Sequence, residues 1–204
     1  MRPTLHTERL ILRPFAAADA DAVTRLASAR EIAATTLSIP HPYERGFAET
    51  WIASHQDQFA ASGSIVLAIT LREDGTLAGA IGLDVEPLHR RAELGYWVGL
   101  DYWGRGYCTE AALALVRHGF ETMGLHRILA HHFSRNPASG RVMQKIGLRH
   151  EGTLRGHVLK WGVQEDLELY GMLHDDFARM KRTPTAAPLE AAPRRAADPA
   201  RSGA

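Results

Sequence analysis

The sequence predicts an α/β (α+β) fold, a three-layer domain in which helices cover both faces of a mixed, mostly antiparallel central sheet. Two observations support this prediction. The hydrophobic period switches repeatedly between about 3.6 and about 2 residues along the chain, as it does where helices alternate with strands. Residues 92–132 also read as strand, helix and strand, a unit whose two strands lie parallel and adjacent with a right-handed crossover.

Local patterns then predict each element in order. Pro14 ends the first strand, Pro40 and Pro42 exclude regular helix between the first two helices, and Asp74-Gly75 indicates a hairpin. Strands are predicted over 9–14, 65–72, 77–85, 92–100, 127–133, 148–159 and 166–172, and helices over 19–28, 43–61, 107–124 and 138–146.

The composition excludes several classes of protein. The 204 residues include 24 lysines and arginines and 23 acidic residues, a net charge of +1, so no nucleic-acid binder driven by basic charge is expected. One cysteine, Cys108, excludes an intramolecular disulfide framework, and neither cysteine nor histidine spacing suggests a metal site. Because no signal peptide and no membrane-spanning apolar run is visible, we expect a cytoplasmic protein with no membrane association.

Residues 1–182 are predicted to form one domain, and residues 183–204 a disordered tail rich in Ala, Pro and Arg. Eight of those 22 residues are alanine and four are proline. Leu189 is the only large apolar side chain among them, so the segment buries too little surface to offset its ordering entropy.

The turn Trp103–Glu110 lies between a predicted strand and a predicted helix. Gly104 and Gly106 permit a tight, left-handed path, and the first amides of the helix are unpaired and carry the positive end of its dipole. Arg105 adds a guanidinium. The turn is therefore a candidate phosphate site, although a Gly-x-Gly turn before a helix can also be a simple connection.

Three separated segments carry a family resemblance. They are Glu93-Leu-Gly-Tyr-Trp-Val-Gly-Leu, Gly104-Arg-Gly-Tyr-Cys-Thr-Glu-Ala and Asn136-Pro-Ala-Ser-Gly-Arg-Val-Met-Gln-Lys-Ile-Gly-Leu. Together they resemble the GNAT superfamily of acetyl-CoA-dependent N-acetyltransferases. The opening Thr7-Glu-Arg-Leu-Ile-Leu-Arg-Pro-Phe and the closing Glu151-Gly-Thr-Leu-Arg resemble its RimJ/RimL-like branch, and the likeness runs in order over residues 4–175.

The resemblance implies a GNAT-like sheet that splays between Glu93–Leu100 and Arg127–Phe133, and acetyl-CoA bound at the opening. Backbone groups of Tyr96, Trp97 and Val98 would bind the pantetheine arm, much as an added strand does. The pyrophosphate would lie on the turn, whose implied binding residues are Gly104, Arg105, Gly106, Tyr107, Cys108 and Thr109.

Two positions of the turn depart from the family pattern. Trp103 replaces the usual Gln or Arg, a mild change if backbone amides hold the anion, and Cys108 replaces the last Gly or Ala. Two interpretations of Cys108 remain open. It is either a thiol acidified at a helix N-terminus or simply a small side chain where the backbone must approach phosphate.

The same resemblance implies two catalytic residues, Glu93 and Ser139. Glu93 would act as base through water, since it lies roughly 13 Å along the strand from Trp97; a salt bridge with Arg90 or Arg91 is the alternative. Many members protonate the leaving thiolate with a Tyr where this chain has Met143, so the RimL-like position, Ser139, is the predicted donor.

Ser139 could alternatively bond backbone in the first helical turn. Asn136 could cap the same helix, and the resemblance implies that its side chain also binds the pantetheine.

The predicted function is direct transfer of acetyl from acetyl-CoA to a primary amine in a ternary complex, with no metal. The alternative is a non-catalytic acyl-CoA sensor. The acceptor stays open between a protein N-terminus and a small amine. Residues 35–46 and 158–166 are expected to wall the acceptor side, and exposed main-chain edges leave a homodimer open.

Overall fold

The computed structural model describes residues 2–182, which form one eight-stranded sheet covered by helices on both faces. The strands are β1 (Leu5–His6), β2 (Leu10–Pro14), β3 (Ile65–Leu71), β4 (Leu77–Glu86), β5 (Arg91–Val98), β6 (Arg127–Phe133), β7 (Arg149–Lys160) and β8 (Val163–Leu173). The helices are α1 (Ala20–Ala27), α2 (Arg30–Thr35), α3 (Phe47–Ser62), α4 (Tyr107–Glu121), α5 (Pro137–Lys145) and α6 (His174–Arg182).

The sheet order is β1-β2-β3-β4-β5-β6-β8-β7, and every neighbouring pair is antiparallel except β5 with β6. That parallel pair is the one joined by α4, as a strand–helix–strand unit requires. The predicted mixed, mostly antiparallel sheet is confirmed.

The parallel pair is short. It joins Arg91 to Arg127, Ala92 to Ile128 and Glu93 to Leu129, and no further pair follows. Beyond this point β5 stays paired with β4 as far as Val98, while β6 stays paired with β8 as far as Phe133. The two strands therefore separate at the predicted place, and each keeps its outer neighbour.

Two apolar cores lie on the opposite faces of the sheet. On one face, α4 buries Ala112, Leu115 and Phe120 against strand residues such as Leu94. On the other face, Val23 of α1 packs with Phe15 and strand residues in a second cluster, against which Trp97 also packs. Successive residues of a strand face opposite sides, so β5 contributes to both cores.

Several element boundaries differ from the sequence prediction. The second long helix starts at Phe47 rather than at residue 43, because Gly46 adopts a left-handed φ of 85° just before it. The third strand of the meander ends at Val98, two residues early, and the last strand begins at Val163, three early. The short elements β1 and α2 and the C-terminal helix α6 were not predicted; α6 buries only Phe177, so its sequence shows little apolar stripe.

The tail predicted over residues 183–204 lies outside the described residues. Within residues 2–182, none of the helices has both the length and the apolar character needed to cross a bilayer.

His55 on α3 is buried between Phe15 and Trp51, with ring centroids 5.6 and 4.5 Å away. Neither of its ring nitrogens has a hydrogen-bond partner among the described residues. Burial, together with the charge of Arg2, lowers the pKa of His55 to about 4.

We expect the free energy of unfolding to fall by about 2 kcal/mol, through His55 alone, between pH 7 and pH 5. The unfolded chain binds a proton at a histidine near pH 6.5, whereas the folded protein keeps this ring neutral, so the unfolded state gains stability across this window. Urea unfolding of His55→Phe should show a correspondingly weaker pH dependence, with exposed His89→Gln as the control. Equal pH dependence in His55→Phe and the wild type would contradict the prediction.

Candidate active site

A cleft of about 530 Å³ opens where β5 and β6 separate. Strands β4, β5 and β6 contribute its floor, α1 and α3 lie on one side, and α5 lies on the other. Residues 35–40 and Tyr43 line the side of α1 and α3. Of the predicted site residues, the cleft brings together Glu93, Tyr96, Trp97 and Ser139, while the glycine turn before α4 is not among its lining residues.

The turn before α4 has the backbone that its glycines predict. Gly104 and Gly106 adopt left-handed φ angles of 74° and 80°, and α4 begins at the next residue, Tyr107. No side chain caps this helix, so its first amides remain available to an anion. The exposed Arg105 lies in the same turn. These residues fit a pyrophosphate, which suits unpaired amides at the positive end of a helix.

Arg9 is a second cation at this turn, and sequence reasoning missed it. Its guanidinium donates to the carbonyl oxygen of Arg105 (3.0 Å) and to Glu110 (2.7 Å), and it lies over the Tyr107 ring. Glu110 also accepts from the Thr7 hydroxyl (2.7 Å). The start of α4 is thereby joined to the segment before β2. Arg9 belongs to the opening motif of the sequence, but that motif does not indicate which helix it meets.

Cys108 is not an acidified thiol. Burial raises the pKa of Cys108 to about 12, so the thiol stays protonated despite its position in the first turn of α4. It packs against the core on the α4 face of the sheet. The interpretation of Cys108 as a small side chain near the phosphate site is the one the structure favours.

Trp103 has a structural role that its sequence position did not reveal. Its indole N–H donates to the carbonyl oxygen of Val98 at 2.9 Å. Val98 is buried, outside the cleft lining, and one acceptor position of its carbonyl is already used. Of the three strand residues predicted to bind pantetheine, Tyr96 and Trp97 are therefore the better placed.

Tyr96 and Ser139 meet across the opening of the sheet. The Tyr96 hydroxyl lies 2.9 Å from Oγ of Ser139 and 3.1 Å from its carbonyl oxygen. Burial raises the pKa of Tyr96, so the phenol remains a hydrogen-bond donor. The backbone amide of Ser139 donates to the Asn136 side chain at 3.4 Å, which confirms Asn136 as the cap of α5. Met143 is buried and offers no proton.

Glu93 pairs with a histidine, not with the arginines proposed from the sequence. Its Oε1 lies 3.2 Å from Nδ1 of His131 on β6. Arg91 instead binds Glu86, and Arg90 donates to the carbonyl oxygen of Gly124. Sequence reasoning considered His131 only as a metal ligand. The signal that could have found it is the parallel alignment, which places it two residues beyond the last strand pair.

His132 faces the opposite side of β6 from its neighbour His131. It is 7% exposed and lines the cleft, and its Nδ1 lies 2.8 Å from the carbonyl oxygen of Phe133. Its Nε2 has no partner among residues 2–182, and a Cβ on Gly140 would come within 2.6 Å of that atom. The close approach of Gly140 packs this ring against the α5 turn that carries Ser139.

The acceptor-side loop is held in place from the β7–β8 hairpin. Lys160 is buried and donates to the carbonyl oxygens of Leu37 (3.2 Å) and Ile39 (3.1 Å). Arg135 donates to Ala34 and to Glu165. The loop lines the cleft, whereas residues 158–166 support it from outside the lining. Across the described chain, no group of three His, Cys, Asp or Glu side chains could hold a metal ion.

Residues 9–149 match the family described as an acetyltransferase (GNAT) domain. The chain is 33% identical over 177 residues to an uncharacterized N-acetyltransferase, YoaA, of Bacillus subtilis (strain 168). The alignment covers 85% of this chain and 98% of that protein. It is 30% identical over 114 residues to the ribosomal-protein-serine acetyltransferase of Escherichia coli (strain K12), covering 55% of this chain and 63% of that protein.

Among solved structures, an acetyltransferase of the GNAT family from Bacillus anthracis superposes with a TM-score of 0.75 at 26% identity, over 85% of this chain and 99% of that one. These matches define the class, N-acetyltransferases that take their acetyl group from acetyl-CoA. The chain belongs to the GNAT acetyltransferase family. It is an acetyl-CoA-dependent enzyme that acetylates an amine, and its homologues include RimJ/RimL-like proteins.

Replacing Arg9 by alanine should weaken CoA binding about five- to tenfold, because the turn loses both a positive charge and the bond that holds the Arg105 carbonyl. Titration calorimetry with CoA measures this change. Arg117→Ala is the control, since Arg117 is exposed on the same helix about 15 Å further along. Equal losses in both variants would show a general charge effect and contradict the assignment.

Proposed function

We propose that the enzyme transfers acetyl directly from acetyl-CoA to a primary amine, in a ternary complex assembled at the opening of the sheet. The observation that carries the proposal is the arrangement of two polar pairs around one cleft. Glu93 and His131 lie 3.2 Å apart on the face covered by α1 and α3, and Tyr96 and Ser139 lie 2.9 Å apart on the face covered by α4 and α5.

The cofactor is proposed to lie from the turn at Gly104–Thr109 to the freed edge of β5. Acetyl-CoA supplies the acetyl group as a thioester. The amides at the start of α4, with Arg105, hold the pyrophosphate, and backbone groups of Tyr96 and Trp97, with the Asn136 side chain, hold the pantetheine. A backbone amide of β5 that donates to the thioester carbonyl stabilises the negative charge that develops there.

The pair Glu93–His131 is proposed to remove the proton from the amine. An alkylammonium is mostly charged at neutral pH and must lose a proton before its nitrogen can attack. His131 is the residue that accepts it, and the carboxylate of Glu93, 3.2 Å from Nδ1, stabilises the imidazolium. In this proposal Glu93 is a positioning and electrostatic partner that acts through His131, where the sequence suggested an action through water.

Ser139 is proposed to return a proton to the leaving thiolate. The Tyr96 phenol can donate to the carbonyl of Ser139, which leaves the serine hydroxyl free to donate into the cleft. The phenol remains protonated because burial raises its pKa.

The acceptor is proposed to be a protein N-terminus or a small-molecule amine. A ribosomal-protein-serine acetyltransferase among the relatives supports the first, and a cleft of about 530 Å³ supports the second. We also propose a cytoplasmic enzyme that acts without nucleic acid. The exposed edge strand β7 supports a homodimer, since an unpaired edge can pair with a second copy.

Thiol release from acetyl-CoA with an amine and peptide panel tests the proposed transfer. Turnover with at least one acceptor is expected, together with acetylated product by mass spectrometry. Tight CoA binding without turnover on any acceptor would favour a non-catalytic sensor of acyl-CoA.

His131→Gln should lower kcat by about a hundredfold or more and remove the loss of activity below neutral pH that an imidazole base produces. Glu93→Gln should lower kcat less and retain that acidic limb, because the imidazole base is still present. The nearby charges on this face are Asp84 of β4 and the Arg135–Glu165 pair, which are unchanged in both variants. If Glu93→Gln removes the limb while His131→Gln keeps it, Glu93 itself is the base.

Ser139→Ala should lower kcat about a hundredfold while the Kd for CoA stays within about twofold, since only the donated proton is lost. Tyr96→Phe should lower kcat by a smaller factor, because the serine keeps its hydroxyl. Ser28→Ala, at an exposed position after α1, is the matched control. Unchanged kcat in Ser139→Ala would assign protonation of the thiolate to another donor.

A further inference from the structure

We propose that the acceptor of this enzyme is a cationic amine with an apolar, aromatic-sized body and no carboxylate or phosphate. The inference rests on the proposed function, because it names the class of amine that enters the same cleft. It comes from the charges, the floor and the walls of the acceptor side.

The charge of the cleft is negative. Apart from histidines, the charged side chains among its lining residues are Asp84 and Glu93, and neither lysine nor arginine lines it. Asp84 and Glu93 are direct partners on the antiparallel strands β4 and β5, so their carboxylates project side by side from one face. Asp84 accepts a hydrogen bond from the Ser64 hydroxyl at 2.9 Å. Two adjacent carboxylates favour an ammonium group between them.

The two cations that donate to carbonyl oxygens of residues 34–39 are engaged there, and the exposed Arg45 of the loop does not line the cleft. Lys160 donates to two carbonyl oxygens of that loop, and Arg135 is bonded to Glu165 and to the Ala34 carbonyl. Neither side chain lines the cleft. An acceptor that carries its own carboxylate would therefore place a third negative charge beside Asp84 and Glu93, with neither lysine nor arginine among the lining residues to compensate.

The floor beside the carboxylates is open. The next residue pair of β4 and β5 on the same face is Gly82 with Gly95. A Cβ on Gly95 would meet no atom within 4 Å, whereas one on Gly82 would lie 2.8 Å from the carbonyl oxygen of Ile65. The following pair is Ala80 with Trp97, whose indole closes the floor. A flat body can therefore lie over Gly95, between the carboxylates and the indole.

The walls above this floor are aromatic and apolar. Trp51 and Phe47 of α3 and Tyr43 of the preceding loop line the cleft, and the last two pack edge to face with centroids 5.4 Å apart. Phe47 remains 45% exposed, a large apolar ring left without full burial by the protein itself. Aromatic walls suit an apolar body and stabilise a nearby cation.

Steady-state kinetics of the full chain with acetyl-CoA and matched acceptors test the inference. The probes are 2-phenylethylamine, phenylalanine, phenylalanine amide, spermidine and a short peptide with a free N-terminal serine. We expect kcat/KM for 2-phenylethylamine to exceed that for phenylalanine at least about a hundredfold, and phenylalanine amide to recover most of the loss, because only the carboxylate is repelled.

Variants of Asp84 separate recognition from catalysis. Asp84→Asn should raise the KM for 2-phenylethylamine about tenfold with little change in kcat or in the Kd for CoA. Asp84→Arg should reduce or reverse the preference over phenylalanine, since a cation then faces the carboxylate. Asp57→Asn is the control, because Asp57 is exposed on α3 and does not line the cleft.

The kinetic results distinguish failure of the acceptor inference from failure of the proposed function. Phenylalanine acetylated as well as 2-phenylethylamine would overturn the charge argument, and spermidine or the peptide as the preferred acceptor would overturn the apolar body. Both of these contrary results include turnover, so they would still support the proposed acetyl transfer. No turnover with any acceptor, despite normal CoA binding, would instead remove the proposed function and this inference with it.

Discussion

The early end of one strand pair is the constraint on which the rest of this structure depends. Strands β5 and β6 stay together for three residue pairs and then diverge, while each remains held by an antiparallel neighbour. The sheet can open there without losing either strand, because the outer pairings keep both in place. The cleft, the free edge of β5 and the meeting of side chains from both faces all follow from this separation.

Short-range patterns predicted most of the fold, because the signals for strands and turns lie within a few residues of one another. The order of the long elements and the single parallel pair are confirmed. Elements with little apolar surface, such as α6, were missed because packing against the sheet stabilises them and their own sequence shows little of it. The glycine turn was predictable because its conformation depends on Gly104 and Gly106 themselves.

The side-chain pairs of the site were not predictable in the same way. Glu93 meets His131, Tyr96 meets Ser139 and Arg9 meets Glu110 only after distant strands and helices have come together. A sequence shows the residue types but not their partners. This is why the alternative interpretation of Glu93 named arginine neighbours, and why the sequence assigned no role to His131.

The contacts of Glu110 also bear on how the protein is made. Its carboxylate binds Thr7 and Arg9, residues more than 100 positions earlier in the chain. During synthesis the amino-terminal segment leaves the ribosome well before α4 exists, so it must wait for its partner. Contacts of such long sequence separation form slowly, because the entropy of closing the intervening loop is lost before any bond is gained. We therefore expect the turn before α4 to reach its final form late in folding, when the two ends of this loop meet.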